Sequence, residues 1–169
     1  MRFIPAFLAT VALLLVSCVK EGDDENTGVE AGDMLPAFSV VLDGGETVTT
    51  AGLRGKVAVI VFFNTGCNDC RNELPVVQRV YEEYAADAGV AFVAIAREEE
   101  ADAVSDYWSE QGLTLPFSAQ TDRVVYNLFA TVGIPRIYIA DAGGRITAVF
   151  DDRHAPSATA LSAVIAAAR

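Results

Sequence analysis

Two cysteines, Cys67 and Cys70, lie where a strand-like run gives way to a helical one, and this placement constrains the chain more than any other feature. Val57 to Phe63 reads Val-Ala-Val-Ile-Val-Phe-Phe without a polar interruption. A strand with one wet face alternates apolar and polar residues. A continuous run of strand length instead belongs to a strand buried on both faces, between layers of other elements. Asn64-Thr65-Gly66 ends the run, and from about Cys67 to Asp87 the residues Leu74, Val77, Val80, Tyr81 and Tyr84 recur at helical spacing. Pro75 falls inside that helix and is expected to kink it, because it removes one intrahelical hydrogen bond.

Cys67-Asn68-Asp69-Cys70 therefore opens a helix directly after a buried strand. A thiol at a helix N-terminus meets unpaired amide N–H groups and the positive end of the helix dipole, both of which favour thiolate. The second thiol, one turn on, is placed to resolve a mixed disulfide. The expected roles are Cys67 as nucleophile and Cys70 as resolving thiol. Zinc would need four ligands, and the only other soft candidate is His154. No metal and no cofactor is expected. A purely structural disulfide in so small a ring would constrain the unfolded chain little. Asp69 opposes thiolate formation and Arg71 partly offsets it. That balance points away from strong oxidants, near about −120 mV, towards thioredoxin-like couples near about −270 mV, hence to a reductant.

The N-terminus is expected to lie outside the fold. Arg2 precedes an apolar run from Phe3 to Val16 that is short for a membrane span and suits a secretory signal. Leu15-Val16-Ser17-Cys18 resembles the lipobox of bacterial lipoproteins, which implies cleavage before Cys18 and acylation of its thiol. That would account for the odd one of three cysteines in an exported chain. The expected organisation is a signal peptide at 1–17, a lipidated acidic tether at 18–32 and one folded domain at 33–169, a length that suits a single core. The lipid is expected to hold the protein to a membrane of the cell envelope, facing the periplasm or the cell surface. A net charge of −11 argues against nucleic acid as a partner, because an acidic chain releases no counterions from phosphate.

Further along, Phe38–Leu42 and Glu46–Thr49 read as a hairpin across Asp43-Gly44-Gly45. Val90–Ala96 reads as a second buried strand, and Glu98–Glu110 and Asp122–Ala130 as helices. Ile137–Ala140 and Arg145–Phe150 form another expected hairpin, closed by a helix from Ser157 to Ala168 with Ser157 as cap. This order predicts an α/β fold with a central mixed β-sheet flanked by helices and an N-terminal β-hairpin.

Lys56 to Pro75, Gly133-Ile134-Pro135 and the opening Gly32-Asp33-Met34-Leu35-Pro36-Ala37-Phe38 together resemble the TlpA/ResA branch of the thioredoxin superfamily. The resemblance covers about Gly32 to Phe150 and implies a thioredoxin-like sandwich with thiol–disulfide oxidoreductase activity. It implies that Pro135 is cis and faces the thiols, and that the Ile134 backbone pairs with an extended substrate segment. It also implies that Glu73 lies near the active site and tunes it; an exposed first-turn carboxylate is the other reading of that residue. Implied partners are disulfide-bearing exported proteins, as in cytochrome c maturation or general disulfide reduction, and a membrane thiol carrier that donates electrons. The chain departs from the branch at Gly66, where Trp is usual before the first Cys, and Trp108 reads as a packing residue. Val61 stands where thioredoxins proper keep a buried Asp, as expected for this branch.

Two other functions compete. Peroxiredoxins share this fold branch, but their Pro and Thr or Ser before the reacting Cys would fall at Ile60 and Asn64. Arg136 could serve an anion in such a site, although it reads as an exposed arginine beside a loop. A non-catalytic metal- or protein-binding module would be expected to add His154 to the thiol pair, yet that residue reads as solvated.

Overall fold

A computed structural model describes residues 28–169. The expected signal peptide, Cys18 and the tether as far as residue 27 lie outside the described residues. The chain is already docked at Val29, whose N–H donates to Phe129 O at 2.9 Å, and Gly32 N–H donates to Ile146 O at 2.8 Å. Val29 and Gly32, just ahead of the expected domain start at Asp33, thus have backbone partners in the domain.

The elements run β1 (Ser39–Val41), β2 (Thr47–Thr49), β3 (Val57–Phe63), α1 (Asn68–Tyr84), β4 (Val90–Arg97), α2 (Ala101–Gln111), β5 (Phe117–Gln120), β6 (Arg136–Ala140), β7 (Ile146–Phe150) and α3 (Ala158–Ala167). Strands β1 and β2 form the separate hairpin; the other five form one sheet in the order β5-β4-β3-β6-β7. Strand β3 pairs parallel with β4 and antiparallel with β6, so the sheet is mixed and β3 is its centre.

Every residue of β3 is buried, as a strand between two layers must be. Its side chains alternate between two cores. Val57, Val59, Val61 and Phe63 pack with Leu74, Val77 and Val80 of α1 and Leu161 and Ile165 of α3. Ala58, Ile60 and Phe62 face Phe38, Val40, Tyr126, Phe129 and Tyr138. Each large side chain removed from water here contributes about 1.5–3 kcal/mol before entropy is counted.

Helix α1 continues through Pro75, which it carries on its exposed side. Helix α2 ends at Gly112 in a left-handed conformation (φ +65°), where a residue with a Cβ would be strained. The Ser157 hydroxyl caps α3 by accepting from Ala160 N–H at 3.2 Å.

Two expectations about local structure fail. The helix expected over Asp122–Ala130 is a single 3-10 turn, Tyr126–Leu128. Phe129 O is taken by Val29 N–H and the Tyr138 hydroxyl, and Thr131 O, just past the segment, by the Arg123 guanidinium. Strand β5 was not expected; it is four residues long and pairs with β4 alone.

Candidate active site

The buried run of β3 ends at Phe63, and Asn64–Gly66 carry the chain over the sheet edge into α1. Cys67 occupies the N-cap of α1, with φ −87° and ψ 123°. Its N–H donates to Asn64 O at 3.1 Å, and its carbonyl accepts from Arg71 N–H at 3.0 Å. The Cys67 side chain makes no capping bond to the helix; its thiol instead lies 3.7 Å from Ile134 O. Cys67 is half-buried, whereas Cys70, one turn inside, is 0% exposed. Both are free thiols. Burial pushes the Cys70 thiol well above the usual range, and its hydrogen bond with Cys67 adds to the shift. A backbone hydrogen bond at Asn64 and the charge of Arg97 oppose it.

Facing Cys67 is the loop before β6. The Ile134–Pro135 peptide bond is cis, as the resemblance implied. Gly133 has φ +81°, and a Cβ there would also crowd Asp152 Oδ1 at 3.1 Å. The Tyr126 hydroxyl donates to Gly133 O at 2.6 Å, and Arg136 Nε donates to Val132 O at 2.9 Å. The loop is therefore held from two sides. Arg136 corrects the sequence reading: it is 4% exposed, not a surface residue. As the first residue of β6 it pairs with Phe62, and its guanidinium turns back on the loop to find a carbonyl.

Glu73 is 5% exposed, which rules out the exposed first-turn carboxylate. Its Oε1 has no hydrogen-bond partner among the described residues. Burial pushes its carboxyl up to about 7. It sits one turn beyond Cys70 on the buried side of α1. The first two turns of α1, with its N-cap, thus present two cysteines and an acid raised by burial.

Arg97 and Tyr107, near the thiols, were not singled out from the sequence. The Arg97 guanidinium lies 4.5 Å from the centroid of the Tyr126 ring, and its Nη1 is buried without a hydrogen-bond partner among the described residues. Arg71 lies 5.5 Å over the Tyr107 ring. Burial raises the Tyr107 hydroxyl, with Arg71 opposing and Cys70 adding. Arg97 ends a clear strand, and Tyr107 lies in an expected helix; what the sequence lacks is which way each side chain turns. Trp108 is a packing residue, tilted against Phe63 with ring centroids 4.9 Å apart. His154 is exposed and sits 3.0 Å from Asp151 Oδ1.

A mixed sheet with this crossover pattern, a Cys-x-x-Cys at the start of the helix that follows its central strand, and a cis-proline loop across from it define the class: thioredoxin-fold thiol–disulfide oxidoreductases. The profile of the AhpC/TSA family matches residues 31–149, and the chain belongs to that family. Within the thioredoxin superfamily it is of the TlpA/ResA type. It is 29% identical over 143 residues to the thiol-disulfide oxidoreductase ResA of Oceanobacillus iheyensis, a match covering 82% of this chain and 74% of the relative. It is 24% identical over 149 residues to ResA of Bacillus subtilis, covering 85% and 83%. The crystal structure of a thiol:disulfide interchange protein of the thioredoxin family from Chlorobium tepidum superposes with a TM-score of 0.68 at 27% identity, covering 87% of this chain and 99% of that one.

Proposed function

We propose that this oxidoreductase works at the envelope, lipid-anchored through Cys18 after loss of residues 1–17, and that it reduces disulfides in exported proteins. Cytochrome c maturation and general disulfide reduction are the candidate settings, with electrons arriving from a membrane thiol carrier. Cys67 thiolate attacks a sulfur of the substrate disulfide. The distal substrate sulfur leaves with the electron pair and is protonated. Cys70, deprotonated, then attacks Cys67 Sγ in the mixed disulfide, releasing the second substrate thiol and leaving a Cys67–Cys70 disulfide. An extended substrate segment pairs with the Ile134 main chain next to Pro135, since that carbonyl already touches the Cys67 thiol. Glu73 tunes the pair as a carboxyl that changes charge near neutrality one turn beyond Cys70.

The observation that carries this proposal is the unequal access of the two thiols. Cys67 stands half-exposed at the helix cap beside Ile134, and Cys70 is sealed behind it. The peroxidase alternative gains nothing here, because Ile60 is buried in β3 and the Asn64 amide is committed to Arg97 O at 3.1 Å. The test is capture. A Cys70→Ser variant is expected to accumulate a stable mixed disulfide through Cys67, and a Cys67→Ser variant none. Equal capture by both variants would overturn the assignment of roles.

A further inference from the structure

Where β4 ends, the chain makes an unusual turn against the thiol loop. Phe63 and Ala96 are the last register pair between β3 and β4. Beyond it, Arg97 O accepts from Asn64 Nδ2 at 3.1 Å. Glu98 then adopts φ +56°, the only non-glycine residue with a positive φ among the described residues. An L-residue with a side chain avoids that region unless its surroundings impose it, and such positions cluster at functional sites. The surroundings are visible: Glu98 N–H donates to Asp122 O at 3.1 Å, and Glu99 N–H donates to Gln120 O at 3.0 Å.

The left-handed step turns the Glu99 side chain back onto the loop that precedes Cys67. Glu99 Oε2 accepts from Thr65 N–H at 2.9 Å, and Oε1 accepts from the Thr65 hydroxyl. Thr65 is itself buried. On its other side, Thr65 O accepts from Arg71 Nε at 2.7 Å, and Gly66 N–H donates to Asn64 Oδ1 at 2.9 Å. The turn at Arg97–Glu99 therefore bonds two consecutive residues, Asn64 and Thr65, immediately before Gly66 and Cys67. Gly66 has no side chain with which to brace the loop itself. Glu99 takes both the N–H and the hydroxyl of Thr65, so it is the residue of the turn that holds Thr65 at two points, and hydrogen bonds to an ionised carboxylate are stronger than neutral ones.

We infer that Glu99 is a positioning residue for the dithiol, a carboxylate that seats the Thr65–Cys67 loop so that Cys67 stays at the N-cap of α1. This rests on the proposed roles of Cys67 and Cys70. It concerns a residue that touches neither thiol and that acts through Thr65.

The experiment compares Glu99→Ala, Glu99→Gln, Thr65→Val and Thr65→Ser with the parent chain, using a neutral pyridyl disulfide as probe. Rates are taken from pH 5 to 10, and Tm is measured alongside. Loss of the seat in Glu99→Ala is expected to slow Cys67 about tenfold at neutral pH, the scale on which misplacement of a reacting group acts. The midpoint of its pH–rate profile is expected to move upwards, because a loop that drifts from the helix end loses amide stabilisation of the thiolate. Glu99→Gln keeps an acceptor for Thr65 N–H and is expected to recover most of the rate. Thr65→Ser is expected to match the parent, and Thr65→Val to slow by a smaller factor than Glu99→Ala. If removing a nearby negative charge were the whole effect, both Glu99 variants would shift the midpoint downwards; that result overturns the inference. So does a Glu99→Ala protein with a lowered Tm and the parent's profile. If Glu99→Ala does not fold, the two Thr65 variants decide alone, and equal rates for Val and Ser overturn it. A parent chain whose Cys67 does not react with the probe would instead sink the assignment of the dithiol, which keeps the two failures apart.

Discussion

The two faces of the central sheet are built differently and do different work, although one strand supplies both. Odd-numbered residues of β3 meet helices α1 and α3, and this face ends at the dithiol and Glu73. Even-numbered residues meet a cluster of rings supplied by no α-helix among the described residues: Phe62 lies 4.9 Å from Phe129, 5.4 Å from Tyr126 and 6.1 Å from Tyr138, centroid to centroid. The helical face carries the thiol pair and the buried carboxyl of Glu73, both Cys70 and Glu73 being raised by burial. The aromatic face holds the loops, through the Tyr126 hydroxyl on Gly133 O and the Tyr138 hydroxyl on Phe129 O. A reactive layer and a holding layer are thus separated by the thickness of one sheet.

The largest expected effect breaks the holding layer. Phe62→Ala removes a 0% exposed ring from the centre of the aromatic cluster and is expected to cost about 3–5 kcal/mol in urea unfolding. Under conditions where the variant remains folded, its thiol-exchange rate is expected to stay near that of the parent; a large drop in rate would erase the division between the faces.

The second effect sharpens the comparison from the reactive side. Glu73 has an ordinary carboxyl value of 4.5 unfolded and about 7 folded. A raised acid binds its proton more tightly in the native state, so its stabilisation is full below about pH 4.5 and fades as pH rises through 7. Between those limits the parent is expected to lose on the order of 3 kcal/mol that Glu73→Gln retains. Unfolding free energies for both proteins at about pH 5 and pH 8 check this. Parallel pH dependence in the two would show that Glu73 is not the group responsible. The smallest effect lies beneath the dithiol. Trp108→Phe keeps a ring against Phe63 but leaves Leu115 O without its 2.7 Å donor, at an expected cost of about 1–2 kcal/mol.

What the sequence discloses follows the same division. The continuous apolar run of β3, the helical spacing of α1 and the Cys-x-x-Cys between them are local patterns, and they survive unchanged in the structure. The misses are all matters of tertiary context. Val124, Val125, Leu128 and Phe129 carry a helical spacing, yet the Phe129 carbonyl is claimed by Val29 and Tyr138 from elsewhere in the chain. Strand β5 is too short and too polar to show a period, and only its pairing with Ala94–Arg97 defines it. Arg136 reads as surface by type alone; nothing local reveals that its guanidinium folds back on Val132. Glu73 leaves its environment open for a related reason. A glutamate at this point of a helix has the same local sequence whether its side chain is in water or buried, and the neighbours that decide the matter lie on other elements.

The sealed position of Cys70 has a further consequence for traffic through the site. In the reduced form, a reagent arriving from solution meets a single sulfur. Oxidants, alkylating agents and partner proteins all queue at the same gate, and the inner sulfur is reached only through its neighbour. A dithiol arranged in this way handles one client at a time, and its second half answers to events at the first.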